Sequence, residues 1–256
     1  MKKFNKSKVI IPALAMIALT TAASATGTVA WFTANNTVTA STLTFKAKAN
    51  TNLYIAAGAT AEIGALVNTS ATLNITTGAI QPVTLEYAKS KCAVKIPATW
   101  TEAPKVDDKG TANTYTTVAN ITETEATAES TYTVSDYICV GYVTIGRKLA
   151  ESNAIYDLTP TVKISFAAAS ALNKCVRAGI VMNGTLYQSG DYGVETATND
   201  VSFTFTSEIE NLTDNVAYHA ALMVWYEGTD SDCIANNAIT LSTNTASWEF
   251  TSKNHD

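Results

Sequence analysis

The sequence predicts an all-β fold: a jelly-roll-like β-sandwich in a single domain, behind an N-terminal leader. Three observations carry that expectation. Short apolar or alternating runs recur along the chain, about ten to twelve of them, separated by Gly, Asn, Asp and Pro turn signals. Thr, Ala, Asn and Ser dominate, and charged residues make up only 15% of the 256, a balance that favours extended structure over helix bundles. Almost no window shows the period of an amphipathic helix. A chain of this length can bury a sizeable core, and its net charge of −5 offers no basic patch for nucleic acid.

The leader comes first. Lys2, Lys3, Lys6 and Lys8 form a positive start, and residues 9–23 (VIIPALAMIALTTAA) are apolar, with Pro12 near their beginning. That run is too short to cross ~30 Å of hydrocarbon. Small residues follow it, as signal peptidase requires, so residues 1–30 read as a secretory signal peptide. The product is expected to be secreted, extracellular or on the cell surface, with no membrane attachment after cleavage; a retained N-terminal anchor is the competing reading. Two cleavage points compete as well: between Ala25 and Thr26, after Ala23-Ser24-Ala25, and between Ala30 and Trp31, after Thr28-Val29-Ala30.

The leading stretch, residues 31–49, alternates with period two from Thr37, after Asn35-Asn36 as a flexible or turning lead. Thr37, Thr39, Ser41, Leu43, Phe45 and Ala47 share one face, and Val38, Ala40, Thr42, Thr44, Lys46 and Lys48 the other. This is strand logic, with the Leu43/Phe45 face the one to bury. Residues 53–57, 71–75 and 80–88 read as further strands, and residues 59–67 as a short helix weakened by Gly64. Pro97 and Pro104 bracket Trp100 in an irregular stretch, so residues 97–129 read as a long insertion, with residues 115–121 a strand inside it. Residues 132–145 (YTVSDYICVGYVTI) are apolar on both faces and predict a central strand. Residues 158–167 make another, with Pro160 where a lost donor is tolerable. Asn183-Gly184, between residues 176–182 and 186–189, predicts a hairpin turn with positive φ at both positions. Residues 216–226 fit helix or strand by run length alone; their flanking turn residues favour strand. Residues 238–241 and 246–251 complete the body (50–251), and 252–256 form a polar tail.

Cys92, Cys139, Cys175 and Cys233 are even in number on an exported chain, so disulfides are allowed. Four cysteines permit three pairings and nothing in the sequence chooses among them; buried apolar thiols are the alternative. Glu227, Asp230 and Asp232 gather around one turn as oxygen ligands would for calcium, the one cofactor the sequence suggests. EF-hand spacing is missing, and a solvated loop is the preferred reading. No catalytic constellation stands out and no enzyme is expected: His219 is followed by Ala220-Ala221-Leu222 rather than by the Glu and second His of a zinc-protease helix. The four tryptophans and eleven tyrosines suit a sheet core, with an aromatic-lined ligand groove, as in carbohydrate-binding sandwiches, as the rarer alternative.

Gly27-Thr28-Val29-Ala30-Trp31-Phe32-Thr33, followed by Ser41-Thr42-Leu43-Thr44-Phe45, resembles the processing region of the TasA/camelysin family. Members are secreted bacterial biofilm-fibre proteins with a dedicated signal peptidase, in which a GTxA-aromatic-Phe segment precedes a GTLDL-like strand. Here Ser41 stands for that Gly and Thr44 for that Asp. The resemblance implies cleavage after Ala30, Trp31 as the mature N-terminus, and assembly by strand donation. The expectation is therefore a secreted structural protein whose partners are signal peptidase and other copies of itself. Trp31, Phe32, Val38, Leu43 and Phe45 would lie on the donated strand of a head-to-tail filament. The alternatives are a monomeric adhesin or carbohydrate-binding sandwich and, behind it, a camelysin-type metalloprotease.

Overall fold

Period-two alternation in the leading stretch folds as β1 (Ser41–Ala49), an interior strand of the first of three sheets. The computed structural model describes residues 41–49, 52–77, 80–88, 91–97, 115–166, 171–189, 200–205, 207–230 and 245–254. The first sheet runs β12 (Asp200–Thr204), β9 (Ile155–Ser165), β15 (Thr245–Asn254), β1 and β3 (Ser70–Thr77), with β13 (Ile209–Thr213) also on β9. The second runs β11 (Thr185–Gln188), β10 (Val176–Met182), β14 (Tyr218–Tyr226), β8 (Cys139–Arg147) and β2 (Leu53–Ala57). The third runs β4 (Thr84–Ala88), β5 (Lys91–Pro97), β6 (Tyr115–Ile121) and β7 (Ala126–Ala128). The protein is all-β: no α-helix occurs among the described residues, and none there is long and apolar enough to cross a membrane.

Two apolar cores hold the sheets together. Phe45, Ile55, Val143, Ile145, Leu158, Trp248 and Phe250 are buried between the first and second sheets. Cys92, Val94, Val118 and Ile121 of the third sheet pack against Val181, Met223 and Trp225 of the second. The second sheet is thus covered on both faces, which is why its strands read as continuous apolar runs. At ~25 cal/mol per Å² of apolar area removed from water, this double burial is the dominant stabilising contribution. The lower end of the first core, where β1 finishes, carries a buried ion pair. Arg147 Nε lies 2.8 Å from Asp214 Oδ1, its guanidinium donates to Asn254 Oδ1 at 3.0 Å, and it stacks 4.7 Å over the Tyr156 ring.

Several expectations are corrected. The run 132–145 is strand only from Cys139; Val134–Asp136 is a 3-10 turn. The strand expected at residues 115–121 is β6, but residues 97–129 are not an insertion, because β6 and β7 continue the sheet begun by β4 and β5. The expected tail begins as strand: Ser252, Lys253 and Asn254 pair with Leu158, Asp157 and Tyr156. Pro160 lies in a strand paired on both sides, opposite Phe250. It is accommodated because β13 covers β9 up to Leu158 and β12 only from Thr161, so Pro160 falls where one neighbour hands over to the other. The short helix expected in 59–67 is a 3-10 turn, Ile63–Ala65. Two expectations hold: the run 216–226 is strand from Tyr218 to Tyr226, and Asn183-Gly184 turns with φ of 51° and 70°.

Candidate functional site

The leading stretch decides where a functional surface can lie. β1 pairs with β15 in parallel, Phe45 opposite Ala246, and with β3 antiparallel, Phe45 opposite Leu73. Phe45 is fully buried, its ring 6.3 Å from that of Trp248. The expectation that residues 31–49 form one free strand is therefore corrected for Phe45 and for the backbone at Leu43, which pairs with Ile75. From Thr44 to Lys48 both edges of β1 are paired within its own subunit, and a strand paired on both sides has no free edge to offer a neighbour. Trp31, Phe32 and Val38, and the cleavage positions Ala25, Thr26 and Ala30, lie outside the described residues.

β3 closes the β1 side of the sheet and, among the described residues, pairs with β1 alone. Its sequence, SATLNITT, holds no charge and no proline, the two devices by which edge strands usually discourage further pairing. Ala71, Leu73 and Ile75 point toward the core but are only partly buried, while Thr72 and Asn74 face solvent. Sequence reading found this strand but not its edge position, although the missing charges were there to be noticed.

The outer face of the first sheet is polar. Register places Ser202, Lys163, Ser247, Lys46 and Thr72 in one row across five strands. These residues line a shallow depression of about 760 Å³. Lys163 Nζ lies 2.8 Å from Asp200 Oδ2; hydrogen bonds from Lys163 and then Ser165 hold the Asp200 carboxyl below its ordinary range.

The acidic turn is engaged from within. Glu227 Oε1 accepts from the Thr229 hydroxyl at 2.8 Å, and Oε2 from Trp225 Nε1 at 3.1 Å. Asp230 Oδ2 lies 2.6 Å from a guanidinium nitrogen of Arg177, which is almost fully buried. Asp232 lies outside the described residues, as does Cys233. Cys92 and Cys139 are free, buried thiols; burial pushes Cys92 up to about 12 and Cys139 well above its ordinary value. Cys175 is buried at the end of the 3-10 turn Ala171–Cys175. His219 sits on β14 with Nδ1 3.1 Å from the Thr144 hydroxyl, which donates to the Gly58 carbonyl at 2.8 Å. No group of three His, Cys, Asp or Glu side chains is placed to hold a metal among the described residues.

No protein-family model matches the chain, and a search of curated proteins finds no match.

Proposed function

We propose that the chain is an exported structural protein whose copies join head to tail into extracellular fibres. The residues before β1 act as the joining segment. The two-sheet core is read as a jelly-roll-type sandwich, and the leader as a signal peptide removed by signal peptidase. The likeness of residues 27–33 and 41–45 to the TasA/camelysin processing region supports the biofilm-fibre setting. That likeness carries the reading, and the place of β1 limits which residues can be donated. Since Ser41–Ala49 is committed to the core of its own subunit, the donated portion narrows to residues 31–40, which join the fold at the end of the sheet where Ser41 lies. Donation of this kind supplies main-chain hydrogen bonds across copies and does not close on itself.

Sedimentation and electron microscopy of the exported product test the reading. The wild type is expected to pellet as filaments, and a chain lacking residues 31–36 to stay soluble with an unchanged melting temperature. A wild type that stays monodisperse at high concentration would overturn it. The alternative, a monomeric adhesin or carbohydrate-binding module, is favoured by one feature: the hydroxyl- and lysine-lined depression at Lys46 and Lys163.

A further inference from the structure

We infer that the outer edge of β3 is the acceptor for the leading segment of the next copy. The inference rests on the fibre reading above and names the surface that reading needs. Three features of β3 favour an added strand. Its outer edge is unpaired among the described residues, it carries no charge or proline over eight residues, and its core-facing Ala71, Leu73 and Ile75 are only partly covered. A strand laid beside it would gain backbone hydrogen bonds and complete the burial of those three side chains.

The segment fits that edge in length and pattern. Residues 31–40 span ~33 Å when extended, and the eight residues of β3 need ~27 Å, leaving about two residues for the junction between copies. Alternate positions share a face, so Phe32, Ala34, Val38 and Ala40 would lie together, interrupted only by Asn36, and that face meets Ala71, Leu73 and Ile75. Direction follows from topology. β1 begins at the end of the sheet where β3 finishes, Ser41 opposite Thr77. With copies stacked end to end, the segment of the next copy enters at Ser70 and pairs antiparallel to β3. Within one chain, the same segment would have to cross the end of β3 and double back. That reversal covers about two strand spacings, ~10 Å, and takes three or four residues, so about six remain for an eight-residue edge. Donation between copies uses the whole segment.

Amide exchange along residues 70–77 tests the inference in the exported product, comparing wild type with the double variant Phe32→Asp/Val38→Asp. Both substitutions precede the folded body, and circular dichroism should show the same sheet content. In an antiparallel edge strand about half the amides already point to the inner neighbour. Assembled wild type is expected to slow the remaining half, about four amides, by tenfold or more relative to the soluble variant, with β11 at the edge of the second sheet unchanged. Filaments whose residues 70–77 exchange as fast as in the variant would overturn the β3 acceptor and leave fibre formation standing. A wild type that neither pellets nor differs from the variant would overturn both. A soluble wild type with a slowed β3 would overturn donation between copies in favour of pairing within the chain.

Discussion

Gly146 has no room for a side chain. A Cβ there would sit 2.5 Å from Ile63 Cδ1 and 2.7 Å from the Val216 carbonyl oxygen. At Gly141, one strand face along, the nearest atom would be Phe45 Cδ2 at 2.8 Å, with Ile75 and Leu73 methyls at 3.2 Å. Gly141 is where β8 lets the first sheet approach, and its obstacles are side-chain ends that can turn aside. Gly146 meets main chain, which cannot. Gly141→Ala is therefore expected to cost about 1–3 kcal/mol, in the range of ordinary overpacking, and Gly146→Ala to cost more. Urea unfolding of the two variants checks the order; a smaller loss at Gly146 would show that the segment around Val216 gives way.

On the fibre reading proposed above, β1 separates folding from assembly. Phe45 is fully exposed to packing from β3, β15 and the second sheet and to no solvent, so Phe45→Ala should lose about 3–5 kcal/mol, read as a lower denaturation midpoint. The segment before it should do the opposite: its removal spares stability and removes pelleting. A Phe45→Ala chain as stable as wild type would contradict the placement of β1. That β1 is a strand was legible, because alternation from Thr37 to Lys48 reports period two directly. Its neighbours were not. The parallel partner β15 starts about 200 residues downstream, and no local pattern encodes a pairing at that separation. The same limit hid the third sheet. β6 was legible as the run 115–121, but its pairing with β5 was not: Pro104 and the turn residues in 98–114 gave the region the look of an insertion. The Asn183-Gly184 turn was legible for the converse reason: both positive-φ positions are specified by adjacent residues. At the acidic turn the composition was legible and the partners were not, since Arg177 reaches Asp230 across 53 positions.

Among the described residues, the packed sheets place several phenols and thiols in apolar surroundings, and that sets how the whole molecule responds to alkali. Burial is the largest cause raising Tyr87, Tyr137, Tyr142, Tyr156 and Tyr187 above the ordinary tyrosine value, and it raises Cys92 to about 12. Nearby carboxylates add to the effect at Tyr87, Tyr137 and Tyr142, while Arg147 opposes it at Tyr156. In the unfolded chain these groups ionise near pH 10 for tyrosine and near 8.5 for cysteine. Folded, they hold their protons to higher pH, so above those values the native state binds more protons than the unfolded one. Stability must then fall as pH rises. The contribution is present in full below the unfolded values and is lost on the way up to the folded ones. Each protonated group costs ~1.4 kcal/mol per pH unit at most, and partial exposure at Tyr142 and Tyr87 reduces that. The melting temperature should therefore vary little from these groups below about pH 8, begin to fall as the thiols pass about pH 8.5, and drop by a few degrees per pH unit above about pH 10. The tyrosinate absorbance of these five phenols should rise together with unfolding rather than ahead of it. Full phenol titration near pH 10 with the sheet signal intact would mean that the space between the second and third sheets admits water freely, and that the third layer is not sealed onto the second.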